Sequence, residues 1–183
     1  MGFSAFDHAC MAEALRLAER GMNTCRPNPR VGCVIAHGQE VVGRGWHERA
    51  GEAHAEIMAL ADAGDGARGA IAYVTLEPCN HHGRTGPCAE ALQSAGVIEV
   101  IVATEDPNPD VEGQGMERLR AAGIKVRSGL MATEARAMNA GFFKRMAVNR
   151  PWVRIKLAHS LDGRTALANG HSQWISSDAA RVD

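Results

Sequence analysis

The sequence predicts an α/β fold in which a mostly parallel sheet is covered by helices on both faces. Three observations support this prediction: an opening hairpin pattern, strands that then alternate with helices, and an apolar share of 45% in 183 residues. Alternation of this kind is typical of sheets whose two faces are both buried. The length suits one domain of ordinary size, or one domain and a piece of a second.

The first predicted elements are a helix, a loop and a hairpin. Residues 6–20 carry apolar side chains at helical spacing, and Gly21 is predicted to end this helix. The loop 26–30 (RPNPR) contains two prolines, which cannot continue a helix. The apolar stretches 31–36 and 41–46 then predict two strands joined by a turn.

The remaining elements alternate between helix and strand. In chain order we predict helix 54–63, strand 70–76, helix 88–95, strand 97–104, helix 111–122, strand 124–127 and helix 132–146. Residues 149–151 (NRP) are the best linker candidate, and a new strand is predicted at 152–157. We therefore expect one domain over residues 1–149 and the incomplete beginning of a second over residues 150–183.

Composition and charge argue against several classes of protein. The 20 Lys and Arg residues against 21 Asp and Glu residues give a net charge of −1, so no basic surplus drives binding to nucleic-acid phosphates. No apolar run approaches the roughly 20 residues of a membrane-spanning helix, and the N-terminus has no secretory-signal pattern. We expect a cytoplasmic protein, whose five cysteines are reduced thiols, metal ligands or catalytic groups.

Two short motifs contain the residue types of a zinc site. His54 and Glu56 stand at the predicted start of one helix, Cys79 closes a Glu-Pro-Cys motif after a strand, and Cys88 begins the next helix. Three protein ligands plus a water molecule are typical of catalytic zinc. The two cysteines alone would fit structural zinc or plain thiols equally well. The joint pattern of H-x-E, P-C and a nearby Cys indicates the zinc deaminases.

Glu56 is predicted to transfer protons rather than to bind metal. Two helical steps turn its side chain about 200° away from that of His54, so the two residues do not share one metal geometry. From a helix start, its carboxylate can still reach a water molecule on the metal.

Four stretches of the chain resemble the cytidine-deaminase-like zinc hydrolases and, among these, the bifunctional deaminase/reductases of riboflavin biosynthesis. They are PNPRVG (27–32), GEAHAE (51–56), YVTLEPCNHHGRTGPC (73–88) and DPNP (106–109). The long insert between the two cysteines is specific for the riboflavin enzymes, because cytidine and tRNA adenosine deaminases usually have only two residues there. Two positions depart from the family pattern: Asn80 stands where Ser is common, and Gly86 where Pro is common.

The resemblance implies a three-layer α/β/α sandwich with a mixed sheet, zinc on His54, Cys79 and Cys88, and proton transfer by Glu56. The implied reaction is hydrolytic deamination of 2,5-diamino-6-(5-phosphoribosylamino)pyrimidin-4(3H)-one. The residues implied to hold this small-molecule substrate are Asn28, His47, Arg84, Asp106 and Asn108.

Several of these substrate residues also have a physical case of their own. Asn28, between two prolines, offers a rigid amide to a pyrimidine edge, although an ordinary turn Asn fits equally well. Arg84, in a glycine-flanked loop, suits a ribose 5′-phosphate or is a solvated surface charge. Asp106 and Asn108 follow a strand end, where ligands collect in open α/β sheets, or else cap a helix.

The C-terminal stretches KLAHSLDGRT (156–165) and SQWI (172–175) resemble the opening of the family's reductase domain. That domain has a dihydrofolate-reductase-like fold and uses NADPH. By this resemblance Ala158 and Trp174 would help to bind NADPH and Ser172 the substrate, with only the first strand and an adjoining loop present. We expect a homo-oligomer without nucleic-acid or membrane partners.

Two other functions stay open at this point. One is a nucleoside or tRNA-base deaminase, against which the near-neutral charge and the long insert argue. The other is a non-catalytic module in which zinc only holds helices together. Such a module would lack the proton-transferring carboxylate, whereas Glu56 is present.

Overall fold

The structure, a computed structural model, describes residues 2–80, 86–108, 111–174 and 177–181. The chain divides into two compact units, Met1–Pro151 and Trp152–Asp183. The helices of the first unit are α1 Ala5–Glu19, α2 Ala55–Ala63, α3 Cys88–Ser94, α4 Gln114–Ala121, α5 Ala132–Met138 and α6 Ala140–Val148. Its strands are β1 Gly32–His37, β2 Glu40–Trp46, β3 Ile71–Val74, β4 Glu99–Val102 and β5 Lys125–Ser128, and a 3-10 turn covers Gly64–Ala67.

The five strands form one mixed sheet in the order β2-β1-β3-β4-β5. β1 pairs antiparallel with both β2 and β3, whereas β3, β4 and β5 are parallel. In the β3–β4 register Val74 lies opposite Val102. The segments that leave these two strands, which carry Cys79 and Asp106, therefore emerge at the same edge of the sheet.

Each face of the sheet is buried under helices, which confirms the predicted three-layer α/β/α sandwich. One core cluster joins strand residues such as Val100 to α2, α3 and α4. The other joins Tyr73 and Ile101 to α1 and α5. Both clusters consist of apolar side chains withdrawn from water. Burial of apolar surface is the main favourable contribution to the free energy of folding.

Helix α2 packs very closely on β2, and this packing positions the start of the helix. A Cβ atom on Gly45 would lie only 2.3 Å from the carbonyl oxygen of Ala55, and one on Gly43 only 2.4 Å from that of Ala59. Only glycine permits such an approach of two backbones. The result is a fixed position for His54, the N-cap residue of α2.

Two predicted elements differ from the structure. The helix predicted over 132–146 is two helices, divided at Asn139, whose buried side chain bonds to the backbone of Arg30. The strand predicted over 152–157 is not formed in the described part of the second unit, where these residues are exposed and pair with no other strand. A lone extended segment has no neighbouring strand with which to form a hydrogen-bonded ladder.

The second unit contains a turn around Ser160–Arg164, in which the Ser160 hydroxyl accepts a hydrogen bond from the Arg164 amide. It also contains a short helix, α7, Asp178–Arg181. In the part of the chain that the structure describes, no helix is long and apolar enough to cross a membrane.

Candidate active site

Three potential metal ligands converge between the starts of two helices. His54 caps α2, Cys79 follows β3, and Cys88 is the first residue of α3. The His54 Nδ1 atom lies 3.5 Å from Cys79 Sγ and 3.3 Å from Cys88 Sγ, and the three ligand atoms all lie within 4.8 Å of one another. Tetrahedral zinc with ordinary Zn–N and Zn–S distances places its nitrogen and sulfur ligands about 3.6 Å apart. The donor set therefore fits zinc in both chemistry and spacing.

The thiols of Cys79 and Cys88 have pKa values shifted in opposite directions. A hydrogen bond from the Cys88 thiol lowers the pKa of Cys79 to about 4 despite its burial, with help from His54 and from the Cys88 backbone N–H at 3.4 Å. The same hydrogen bond, together with burial, raises the pKa of the Cys88 thiol. The hydrogen bond to Cys79 raises the pKa of His54. A divalent cation at this point stabilises both sulfurs as thiolates, the form that zinc binds.

Glu56 is the only carboxylate in the first turn of α2. Its side chain is 3% exposed, and this burial raises its pKa to about 7. A carboxyl group that titrates near neutrality can both accept and release a proton under ordinary conditions. Glu56 thus has the acid–base properties that the predicted role in proton transfer requires.

A cavity of about 280 Å³ opens beside the three ligands, at the lower end of the range for small-molecule sites. The structure places many of the predicted site residues in its wall: Asn28, His47, His54, Glu56, Cys79, Asp106 and Asn108. Cys88 is fully buried. Arg84 and the rest of the insert 81–85 lie outside the described residues, as does Pro109.

Ala158, Ser172 and Trp174, which the resemblance assigns to the reductase half, are all in the second unit, and all three are exposed. Trp174 has 70% of its surface open to solvent. The described residues of that unit therefore supply exposed side chains rather than an enclosed cofactor pocket.

His47 holds the side chain of Asn28 in position. Its Nε2 atom lies 3.1 Å from Asn28 Nδ2, and its Nδ1 atom lies 3.1 Å from the carbonyl oxygen of Ala53. These partners assign the neutral tautomer, in which Nδ1–H donates to Ala53 and Nε2 accepts from the Asn28 amide. Burial favours this form because it lowers the pKa of His47. The two residues that the resemblance places at the substrate are thus linked to each other.

Glu77 is a structural anchor to which the sequence analysis assigned no role. Its carboxylate is 4% exposed and accepts four backbone N–H bonds. Oε2 accepts from Asp106 at 3.2 Å and Gly113 at 3.0 Å, and Oε1 accepts from Gly115 at 3.0 Å and Met116 at 3.2 Å. In the sequence, the one feature that could have pointed to this role of Glu77 is its position shortly after a buried strand. Glu77 ties the loop of Asp106 and the start of α4 to the segment that carries Cys79.

Helix α6 and the residue before it contribute a wall of the cavity that sequence reasoning also missed. The Asn139 side chain accepts from the backbone N–H of Arg30 at 2.9 Å and donates to its carbonyl at 2.8 Å. This pair of bonds holds the loop of Asn28 against the α5–α6 junction. Phe142, Arg145 and Met146 then line the cavity. They lie more than 100 positions from that loop, so no local pattern could associate them with it.

Comparison with known proteins decides the family. The model of the cytidine and deoxycytidylate deaminase zinc-binding region matches residues 4–104. The chain belongs to this family. The model of the RibD C-terminal domain matches residues 151–183. Membership confirms the predicted cytidine-deaminase-like fold and zinc as the metal of the family.

Individual relatives agree with this assignment. The chain is 58% identical over 177 residues to the riboflavin biosynthesis protein RibD of Escherichia coli strain K12, a match that covers 97% of this chain and 48% of that protein. It is 50% identical over 145 residues to the diaminohydroxyphosphoribosylamino-pyrimidine deaminase of Buchnera aphidicola subsp. Schizaphis graminum, which covers 79% of this chain and 99% of that protein. The chain spans about half the length of the RibD proteins that it matches.

A solved structure shows the same likeness in three dimensions. Acinetobacter baumannii RibD, form 1, has a TM-score of 0.89 and 52% sequence identity, over 96% of this chain and 49% of that one. The mixed sheet and its covering helices are therefore those of a RibD-like deaminase fold.

Proposed function

We propose that the chain catalyses the zinc-dependent hydrolytic deamination of 2,5-diamino-6-(5-phosphoribosylamino)pyrimidin-4(3H)-one. The observation that supports this best is the convergence of His54, Cys79 and Cys88 at a cavity that also holds the buried carboxyl group of Glu56. The substrate is proposed from the 50% identity to the Buchnera deaminase, of which the chain covers 99%.

The proposed roles follow from position. His54, Cys79 and Cys88 would hold the zinc ion, which when bound supplies Lewis-acid activation of a water molecule. Glu56 would take one proton from that water and deliver it to the ring nitrogen, and would then take the second proton from the added hydroxyl group and deliver it to the departing amine. A C–O bond forms as the C–N bond to the 2-amino group breaks, and ammonia leaves.

Substrate binding would use the residues around this centre. The Asn28 amide, held by His47, faces the cavity with hydrogen-bonding groups suited to a pyrimidine edge. Asp106 and Asn108, joined by a 2.9 Å hydrogen bond from the Asn108 N–H to Asp106 Oδ1, are proposed to bind other polar atoms of the substrate. Arg84 is proposed for the phosphate on the resemblance alone.

The decisive test is ammonia release by the zinc-loaded chain from the phosphoribosyl pyrimidine, with cytidine and adenosine as competing substrates. We expect turnover of the phosphoribosyl pyrimidine alone. Faster turnover of cytidine or adenosine would favour the nucleoside or tRNA-base deaminase. Full zinc occupancy without any ammonia release would favour the non-catalytic zinc module.

For the remainder of the chain we propose the domain division 1–149 and 150–183, with the second part beginning a reductase domain. The match of residues 151–183 to the RibD C-terminal domain supports this. Ala158 and Trp174 would contribute to NADPH binding and Ser172 to substrate binding in a complete domain. A homo-oligomer in the cytoplasm is likewise proposed, to be tested by light scattering and cell fractionation.

A further inference from the structure

Arg145 is a cation in the cavity wall with unused hydrogen-bonding groups. It lies on α6, and its Nη2 donates to the carbonyl oxygen of Pro27 at 3.2 Å. Its guanidinium carbon lies 5.9 Å from the centroid of the Phe142 ring. Across the described ranges, no carboxylate approaches Arg145 within the 4.0 Å of an ion pair, and its Nε and Nη1 atoms have no hydrogen-bond partner.

The charges of the cavity are arranged along its depth. Among the lining residues that the structure describes, Arg145 is the sole Arg or Lys, whereas Glu56, Glu77 and Asp106 bring carboxylates. Glu56 is 3% exposed, and Arg145 is exposed. The anionic groups and the metal ligands therefore occupy the enclosed part of the cavity, and the guanidinium lies towards its mouth.

We infer that Arg145, in addition to Arg84, binds the 5′-phosphate of the substrate and so contributes to specificity for phosphorylated pyrimidines. The inference rests on the proposed function, because a pyrimidine ring beside Glu56 would direct its ribose phosphate outwards. A guanidinium offers a planar set of N–H donors that matches phosphate oxygens in pairs. The bond to Pro27 holds Arg145 next to the loop that carries Asn28, so phosphate and base recognition share one rigid segment.

The kinetic test compares two substrates that differ only in the phosphate. Arg145→Gln should raise KM for the phosphoribosyl pyrimidine about 10- to 100-fold and leave kcat nearly unchanged, because two charge-assisted hydrogen bonds are lost. The same variant should change kcat/KM for the dephosphorylated ribosyl pyrimidine by no more than about twofold. Arg145→Lys, which keeps the charge but not the planar donor pair, should fall between. Arg120→Gln, an exposed arginine on α4, serves as the matched control.

Two results would overturn the assignment. An equal loss on both substrates would show that Arg145 only supports the loop through Pro27. An unchanged KM for the phosphorylated substrate would assign the phosphate to another group, such as Arg84.

A binding measurement separates this inference from the proposed function. Titration of the zinc-loaded chain with ribose 5-phosphate, followed by calorimetry, should show binding that weakens at least tenfold in Arg145→Gln but not in Arg120→Gln. This result without any ammonia release would retain the phosphate site and reject the deaminase. Turnover of the phosphoribosyl pyrimidine with equal ribose 5-phosphate binding in both variants would retain the deaminase and reject the role of Arg145.

Discussion

Replacement of Glu77 by Gln tests how the substrate loop is held to the zinc-binding segment. The carboxylate accepts two N–H bonds on each oxygen, all between 3.0 and 3.2 Å. A glutamine amide keeps one accepting oxygen and turns an NH₂ group towards the other two backbone donors. Each buried N–H left without an acceptor costs about 1–3 kcal/mol, so Glu77→Gln should lower the free energy of unfolding by about 2–6 kcal/mol.

The loss should also be visible in catalysis. The loop of Asp106 loses its anchor, so KM for the substrate should rise, while the zinc content should stay near one per chain because none of the three ligands is changed. The assays are urea unfolding followed by circular dichroism, ammonia-release kinetics and metal analysis. The matched control is Glu117→Gln, an exposed carboxylate on α4 that should change stability by less than about 0.5 kcal/mol. A change below about 1 kcal/mol for Glu77→Gln, with KM unaltered, would refute the anchoring argument.

Four further predictions concern the metal, the proton transfer, the opposite face of the sheet and the second unit. Cys79→Ser should lose zinc and activity together, measured by metal analysis and ammonia release; full zinc occupancy would contradict the ligand assignment. Glu56→Gln should keep its zinc but slow turnover by about 10²- to 10⁴-fold, because an amide carries no transferable proton; near-normal ammonia release would exclude the role. Burial alone would raise the pKa of Asp7, but hydrogen bonds from Ser4 and Tyr73 and the charge of Arg127 outweigh it and hold that pKa below 3.8. The stability that wild type gains over Asp7→Asn should therefore be complete above pH 3.8 and disappear as the pH falls through the lower folded value, as followed by urea unfolding at a series of pH values; a constant difference would contradict it. Finally, the 183-residue chain should not oxidise NADPH when given the deaminated product, because Ala158, Ser172 and Trp174 are exposed; a steady fall in nicotinamide absorbance above a control without enzyme would disprove this.

The fold class and the residue types of the candidate metal site were predictable from the sequence, because both depend on local features. Apolar runs at strand spacing and helical spacing predict strands and helices wherever they occur. His54 and Glu56 stand two positions apart at a helix start, and Cys79 and Cys88 stand nine positions apart, one after a strand and the other at the next helix start. The residue types then select the metal, since imidazole and thiolate are ligands that zinc prefers.

The residues proposed to bind substrate were predictable only in part. The Pro-Asn-Pro loop and the DPNP motif were named on their resemblance, and the structure places Asn28, Asp106 and Asn108 in one cavity. The hydrogen bond between His47 and Asn28 could not be predicted from the sequence, because it joins side chains 19 positions apart.

The contacts between distant segments could not be predicted from local sequence patterns. Asn139 ends one helix because its amide bonds to the backbone of Arg30, 109 positions away, and Arg145 reaches Pro27 across 118 positions. Glu77 finds its four donors only after β3, β4 and α4 have packed. Segment 152–157 shows the converse, since its alternating apolar residues favour a strand but no strand pairs with it among the described residues. A local sequence pattern indicates the secondary structure that a segment favours. These interactions depend instead on which other segment the fold brings within hydrogen-bonding distance.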